Sequence, residues 1–315
     1  MTAERGYIGG RFTLELDDKK PVGFVTSIDG GHFKSDMIQS PVGGRPGQQG
    51  GDFLIQRYPG KPKYDDITIT AGMAMSPQFW SWVKATVDNK PERRDGALVT
   101  YDFNSKEKLR RTFKRALLAE IGFPACDAAA KSGQLLTVKI SPEALEYAEG
   151  DNSALKMDQA LNELQKQKRW TQSSFKFELG KVGGDAAMSQ AKIEAFTIKQ
   201  NVISNPVGSH LDARKEVGRL ELPQLQVSFP ESQGKKWFEW FKKTSMEGHH
   251  ETTSGSLSYL APNTNAVLLQ VNFTGVGLLS LDFDKSEGSR EGIARVKATL
   301  FVEGMSLEPN GKGTA

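Results

Sequence analysis

Short runs in which apolar and polar residues alternate dominate the chain, and most of it is therefore predicted to be β-strand. A period of two is typical of a strand with one buried face. The clearest examples are RFTLEL, DITIT and SFKFEL. Predicted strands include residues 11–16, 66–70, 97–103, 109–123, 135–140 and 174–179. The fold is therefore predicted to be mainly β.

One segment of the first half has helical spacing instead. Ser76 and Pro77 supply an N-cap and a first helical residue. Phe79, Trp82 and Val83 then fall on one helical face. This segment is predicted to be a helix that packs its aromatic face on the sheet, with Phe79 and Trp82 as core anchors.

The aromatic helix occurs twice, which indicates a duplicated domain. FWSWVKAT at residues 79–86 returns as WFEWFKKT at residues 237–244, so that Trp82 and Trp240 are 158 positions apart. Trp237 and Trp240 are the corresponding anchors. Strand candidates recur in the same order on both sides, and a fixed period of this kind indicates repeated structural units. The predicted organisation is a first domain at residues 1–149, a linker at 150–171 and a second domain at 172–315.

The linker has a different composition and is predicted to be helical from about residue 154 to 168. Ala154, Met157, Leu161 and Leu164 would lie on one face. Two interpretations stay open. The helix is docked on its own domains, or it bridges to a neighbouring subunit.

Composition describes a soluble globular protein. The chain has 315 residues, which suits two domains, and its 32 Gly and 14 Pro indicate many turns. A net charge of +3 is mildly basic and does not by itself indicate nucleic-acid binding. One cysteine excludes an intrachain disulfide. We expect neither a signal peptide nor a membrane-spanning segment, because the start is polar and no run approaches about 18 apolar residues.

Candidate chemistry is sparse, and no catalytic, cofactor-binding or metal site is predicted. His249 and His250 are adjacent, and adjacent side chains of an extended chain point to opposite faces. The Gly-rich segment at residues 41–51 lacks the ending of a phosphate-binding loop. Its basic neighbours Arg45 and Arg57 are interpreted as interface groups. The chain is predicted not to be an enzyme.

The strongest charge cluster is KEKLRRTFKR at residues 106–115, which places basic side chains on both faces of a strand. It is interpreted either as a solvated, protruding hairpin or as a subunit contact or polar channel lining. The matching residues 267–273 are not basic, so the two halves differ here.

The segment RYPGKPKYDDITITAG at residues 57–72 resembles the tail-tube family of contractile phages and phage-tail-like injection systems. The Trp-bearing helix and the turn into the strand at residues 90–99 continue the resemblance, which covers nearly all of residues 5–148. The second half resembles the family mainly through its likeness to the first. The family usually has one domain per chain, whereas this chain is predicted to have two.

The resemblance implies two tandem antiparallel β-sandwich or partial-barrel domains, each with one packed helix. Six domains would form a ring around a lumen that conducts DNA or effectors. Three chains would complete a pseudo-hexameric ring, which we favour, or six chains would give two stacked layers. The implied partners are sheath and baseplate proteins. The implied location is the bacterial or host cytoplasm during assembly, and afterwards the virion tail or injection-system particle.

The expected contacts between subunits or rings are based on the same resemblance and on the basic segment. The candidates are Arg45, Arg57, Tyr58, Lys61, Arg110, Arg111, Lys114, Arg115, His210, Arg214 and Arg219. An alternative role in the same machine is a baseplate hub, tube initiator or tail terminator. A basic nucleic-acid-binding β-protein that uses residues 106–115 is an alternative of another class, and salt-sensitive DNA binding would support it. A hydrolase or carbohydrate-binding sandwich is disfavoured because the tryptophans are predicted on helices.

Overall fold

A computed structural model describes residues 10–17, 20–42, 54–155, 170–182, 191–205, 213–262, 266–284 and 294–309 of the chain. These residues are mostly β, as the sequence predicts. The strands of the first half are β1 (Arg11–Leu16), β2 (Lys20–Gly30), β3 (Phe33–Val42), β4 (Leu54–Tyr64), β5 (Ile67–Gly72), β6 (Arg94–Tyr101), β7 (Glu107–Phe123), β8 (Cys126–Asp127), β9 (Leu135–Ser141) and β10 (Ala144–Glu149).

The second half repeats the order of the first. Its strands are β11 (Phe175–Leu179), β12 (Lys192–Ile193), β13 (Phe196–Asn205), β14 (Arg214–Glu221), β15 (Leu225–Pro230), β16 (Thr253–Leu260), β17 (Val267–Phe283), β18 (Arg295–Phe301) and β19 (Gly304–Pro309). Among the described residues the α-helices are α1 (Pro77–Val87) and α2 (Lys235–Phe241), and a π-helical turn at Lys242–Met246 extends α2.

Each half is a barrel-like antiparallel sheet. In the first half the strands β7, β6, β1, β2, β5 and β9 pair in that order, and β9 also pairs with β7, which closes the barrel. In the second half β11, β16, β17, β18, β15 and β12 pair in that order, which corresponds to β1, β6, β7, β9, β5 and β2 of the first half. Strands β3 and β4 form a separate two-stranded sheet, which we call the first arm. The hairpin β13–β14 takes the same place in the second half, and we call it the second arm.

The duplication extends to individual residue pairs. Gly96 lies opposite Phe113, and Gly255 lies opposite Phe273 in the same two strands of the second half. Two positions that occupy the same place in the same strand pair are called counterparts below. Arg115 and its counterpart Gly275 both have positive φ, at 50° and 62°. The two halves therefore share the same irregularity as well as the same strand order.

The helices are held on their barrels by the same contacts. Ser76 caps α1 through its hydroxyl, which accepts from the amide of Phe79 at 3.5 Å. The indole of Trp82 donates to the carbonyl of Glu92 at 2.9 Å, and that of Trp240 donates to the carbonyl of Glu251 at 3.3 Å. Burial of the four predicted anchors explains why the aromatic motif recurs. Phe79, Trp82, Trp237 and Trp240 are all buried.

A single apolar core runs through both halves. Phe123 of the first half stacks on Phe196 of the second at 5.0 Å between ring centroids, and Phe196 meets Phe273 edge-on at 6.3 Å. Full burial of one such side chain stabilises a fold by about 1.5–3 kcal/mol. The halves are thus joined by core packing and not only by the chain between them.

The predicted linker helix lies almost entirely outside the described residues. Its proposed first residue, Ala154, is extended and forms a β-bridge with Lys106. The amide of Leu155 donates to the carbonyl of Ser105 at 2.8 Å. A helix therefore does not begin at Ala154, because the backbone there is already paired with the first barrel.

Candidate assembly surfaces

The seam between the two halves is built by strand addition. Residues 196–199 of β13 pair antiparallel with residues 120–123 of β7, so that the second arm extends the first barrel. Strand β9 pairs with the other edge of the same part of β7. Ile121 and Ile198 lie directly opposite each other, and both are buried. Backbone pairing and apolar contact thus act together at this edge.

A polar cluster lies beside this strand pair. Lys215, on β14, is nearly buried, and its Nζ atom lies 3.1 Å from Oδ1 of Asp66 and 2.8 Å from the hydroxyl of Ser141. A buried ammonium is unfavourable unless it is paired and hydrogen-bonded. Here both partners come from the first half, so the lysine has its partners only when the halves are joined in this register.

Glu143 is the second centre of the cluster. Its carboxylate accepts from Arg93 at 3.3 Å, from Arg115 at 2.5 Å and from the amide of Lys215 at 3.1 Å. Arg93 also donates to the carbonyl of Lys215 at 2.6 Å. The side chains of Arg93 and Glu143 therefore fix the backbone of the second arm.

Helix α1 completes the seam from the other side of the core. It lies beside β19 of the second half, and Leu307 of that strand is fully buried. The seam thus has two parts, an arm on a strand edge and a strand beside a helix.

The first arm bears several of the predicted contact residues. Arg57, Tyr58 and Lys61 all lie on β4. The arm exposes an unusual number of large apolar side chains, and contiguous exposed apolar surface marks an interaction site. These side chains are Phe33, Met37, Ile38, Ile55 and Tyr58.

Ion pairs hold the base of the first arm. Lys34 lies 2.5 Å from Asp65, and His32 lies 3.4 Å from the same carboxylate. Hydrogen bonding from Lys34 holds the pKa of Asp65 below its ordinary value. Lys63 pairs with Asp36 across the two strands at 2.6 Å. The arm is thus ordered at its base although it stands apart from the barrel.

The basic segment of β7 is not a protruding hairpin, because β6 and β10 flank it on its two edges. Arg110 binds Glu15 at 2.6 Å and Glu107 at 2.9 Å. The hydrogen bonds that Arg110 donates to these carboxylates, that to Glu107 first, raise the pKa of Arg110 above its ordinary value. Lys114 pairs with Glu146.

Arg111 is half-buried on β7, opposite Tyr147 of β10. Since Arg115 binds Glu143, three of the four predicted contact residues in this segment have carboxylate partners within the chain. Most of the positive charge of residues 110–115 is therefore balanced locally.

The remaining candidates lie on or near the second arm. Arg214 and Arg219 are both exposed on β14. Arg45 and His210 lie outside the described residues. None of the contacts described for these residues brings them together into one site.

The sequence interpretation missed Lys215, Glu143 and Asp66, which the seam brings together. A signal for the first was present, because Lys215 is the counterpart of Arg57, 158 positions away. Asp66 and Glu143 carried no such signal, because their roles depend on contacts between the two halves.

No chemistry beyond contact is evident in the described part of the chain. Within it, no group of three His, Cys, Asp or Glu side chains is arranged to bind a metal ion. Cys126 is fully buried, and burial raises the pKa of its thiol to about 12. Among the described residues no helix is long and apolar enough to cross a membrane.

Several solved structures resemble part of the chain at low identity. A chain of an extracellular contractile injection system, in its sheath–tube complex in the extended state, is 15% identical, with a TM-score of 0.38 over 47% of this chain and 94% of that one. A chain of the tube-terminating cap of the anti-feeding prophage is 17% identical, with a TM-score of 0.39 over 48% and 95%. Hcp1 from Flavobacterium johnsoniae is 13% identical, with a TM-score of 0.27 over 44% and 95%.

No curated protein matches the chain. The family model that matches is that of the T4-like virus tail tube protein gp19, over residues 10–146. This range contains the first barrel, α1 and the first arm. The resemblance seen in the sequence is confirmed, and the first half of the chain matches the tail-tube family.

Proposed function

We propose that the protein is a structural subunit of the inner tube of a contractile phage tail or contractile injection system. The observation that carries the proposal is the seam, in which the second half adds its arm to the sheet edge of the first. In this proposal the chain contributes two successive domains of a head-to-tail array. The match of residues 10–146 to the tail-tube family supports the same function.

Three chains would close a pseudo-hexameric ring. The halves are joined by unlike surfaces, and such heterologous contacts form a ring when the rotation between successive units closes. If each ring has six tail-tube-like domains, two domains per chain require three chains. The domain limits that we propose remain residues 1–149 and 172–315, with a linker at 150–171.

The proposed work of this subunit is mechanical. Stacked rings would enclose a lumen that conducts DNA or effector proteins, and sheath and baseplate proteins would be the outer partners. The protein would assemble in the bacterial or host cytoplasm and then belong to the tail or injection particle. No catalytic role is proposed, because the buried charges serve the seam.

A second candidate is an end ring of the same machine, such as a baseplate hub, tube initiator or terminator. The observation that favours it is the inequality of the two halves. Arg110 and Arg111 of β7 have Gln270 and Val271 as counterparts in β17. In a ring of three chains the two unlike domains alternate, so the two faces of the ring have threefold symmetry. Such faces suit a junction between rings of different proteins.

Native mass spectrometry and negative-stain microscopy of the purified full chain test both candidates. We expect annular particles of three times the chain mass of 34.6 kDa. Stacking of these particles into tubes supports the tube subunit, and isolated rings support the end ring. Strict monomers at high concentration, with no rings even beside a sheath protein, would contradict both.

A further inference from the structure

We propose that a second copy of this chain docks on the exposed end of β17 by repeating, between chains, the seam that joins the two halves within one chain. The inference rests on the proposed function and deepens it by naming both surfaces and their register. It is drawn from three comparisons of counterparts. In each comparison the position in one half is covered and its counterpart in the other half is more exposed.

The first comparison concerns the long strands. The end of β7 is covered by β13, and its residues Ala119, Ile121 and Phe123 are 8%, 1% and 1% exposed. The counterparts in β17 are Leu279, Leu281 and Phe283.

No described strand covers these counterparts, although Phe283 stacks on Phe238 of α2 at 5.6 Å between ring centroids. Leu279 is 46% exposed, Phe283 is 61% exposed and Leu281 is half-buried. Strand β18 pairs with one edge of this part of β17, and no described strand pairs with the other. An apolar edge of this kind is a template for strand addition. We call Leu279–Phe283 with the outer face of α2 the edge surface.

The second comparison concerns the two arms, which have the same irregularity. The register shifts between Ser35 and Met37 in the first arm and between Gln200 and Val202 in the second. This alignment makes residues 31–34 the counterparts of residues 196–199.

In the second arm these residues pair with β7, and Ile198 is 1% exposed. Its counterpart Phe33 is 54% exposed. The base of the first arm is therefore built like a strand that adds to an edge, and within one chain it has no such edge among the described residues. We call residues 31–34 with the outer face of β10 the arm surface.

The third comparison concerns the helices. Helix α1 lies beside β19 and its Val83 is fully buried, whereas the counterpart Phe241 of α2 is half-buried. On the facing strands, Leu307 of β19 is fully buried and its counterpart Tyr147 of β10 is 61% exposed. Helix α2 and β10 are thus uncovered at the positions where α1 and β19 cover each other.

Charge at the two surfaces is complementary. Glu143 has Glu303 as its counterpart, and both amides donate to the same place on the long strand, Lys114 and Thr274, at 3.1 Å and 3.2 Å. Glu303 is exposed. Lys215, whose amide donates to Glu143, has Arg57 as its counterpart. Docking in the register of the seam therefore brings the backbone of Arg57 of one copy beside Glu303 of the other, so that a basic and an acidic residue approach each other.

The three comparisons agree on direction. The uncovered positions of the second half lie on or beside the edge surface, and those of the first half lie on or beside the arm surface. A twofold dimer would have to place like surfaces together, so the contact is heterologous and propagates until it closes. The occupant of the edge surface is therefore the arm surface of another copy of this chain.

The register predicts which residues meet. Ile198 lies opposite Ile121 in the seam, and the corresponding pair between chains is Phe33 and Leu281. Directly opposed residues of antiparallel strands have Cα atoms about 4.5–5.5 Å apart, which permits a disulfide. Oxidation of the full chain with Phe33→Cys and Leu281→Cys should yield covalent dimers and trimers on a non-reducing gel.

Two double variants serve as controls. Phe33→Cys with Asp282→Cys is displaced by one residue, which turns the second thiol to the opposite face, and it should not cross-link. Ile198→Cys with Ile121→Cys should form its disulfide within one chain and give no covalent oligomer. The single variants Phe33→Cys and Leu281→Cys, which retain the buried Cys126, should give no covalent oligomer. This result would show that Cys126 does not contribute to the cross-link.

The outcomes separate this inference from the proposed function. Rings that form without the predicted cross-link would overturn the interface and leave the tube function standing. Cross-linked open chains that never close into rings would support the interface and contradict the ring. Strict monomers without cross-links would overturn both.

A variant without disulfides gives an independent test. Phe283→Lys changes a mostly exposed residue and removes its stacking contact with Phe238, so the unfolding midpoint of the monomer should fall only slightly. It should weaken self-association at least tenfold in analytical ultracentrifugation. Unchanged self-association would overturn the inference.

Discussion

Helices α1 and α2 share their aromatic motif and their tryptophan hydrogen bond, yet their outer faces are covered to different extents. Helix α1 lies beside β19, and Trp80 and Val83 are buried. Their counterparts in α2, Phe238 and Phe241, are half-buried. The difference shows that nearly the same sequence is an interior surface in one half and an outer surface in the other, because a second barrel packs on the first helix only.

The anchors shared by both helices should give the largest effect. Trp82→Ala and Trp240→Ala each remove a buried indole and leave a cavity, and such changes cost about 3–5 kcal/mol of the free energy of unfolding. Urea denaturation monitored by circular dichroism measures the loss. Similar losses in both halves would confirm that the inner faces are equivalent. A negligible loss at Trp240 would show that the second helix is not anchored by it.

The outer faces should respond differently to the same change. Val83→Asp places a charge in the core, and burial of an unpaired charge costs several kcal/mol. Phe241→Asp leaves the charge partly solvated but removes a side chain that packs on the edge of the core, so we expect about 1–2 kcal/mol of lost stability and a clear loss of self-association. Thermal unfolding and sedimentation measure the two quantities. Equal destabilisation by both variants would contradict the contrast between the helices.

The arms provide a milder version of the same contrast. Lys215→Ala removes the ammonium that binds Asp66 and Ser141 and leaves these two with only the hydrogen bond between them, which should cost about 1–3 kcal/mol. Arg57→Ala, at the counterpart position, should leave the stability of the monomer unchanged and reduce self-association. Urea unfolding of both variants in low and moderate salt is the measurement. A stability loss at Arg57 equal to that at Lys215 would mean that the first arm is already docked within the chain.

Cys126 reports on the seam through the pH dependence of stability. Cys126 lies on β8, which pairs with β12 of the second half. Burial raises the pKa of its thiol to about 12, above the ordinary value of about 8.5. Its contribution to stability is therefore fully present below about pH 8.5 and declines as the pH rises toward 12.

The expected decline is at most about 1.4 kcal/mol per pH unit in that range. It is measured as the difference in urea unfolding between the native chain and Cys126→Ala at pH 8 and pH 10. In the native state a thiol reagent at pH 8 should not react. Fast reaction would show that the seam opens.

Several elements were predictable from local pattern alone. The alternation at β1, β5 and β11, the cap at Ser76 and the aromatic face of α1 result from side-chain periodicity and capping, which act over a few residues. The helix predicted to start at Ala154 was wrong at its start, because the β-bridge to Lys106 competes with local helical spacing. The basic segment at residues 106–115 was ambiguous until β6 and β10 were found on its two edges.

The amino-acid sequence by itself determined that the chain is mainly β, that one domain is present twice and which helix faces are apolar. These properties depend on neighbours in sequence, where side-chain direction repeats with a fixed period. Only the tertiary structure decided which copies are covered. Ile121 and Leu281, or Val83 and Phe241, are similar in sequence and differ in exposure, because strand pairing and helix packing join residues that are distant along the chain.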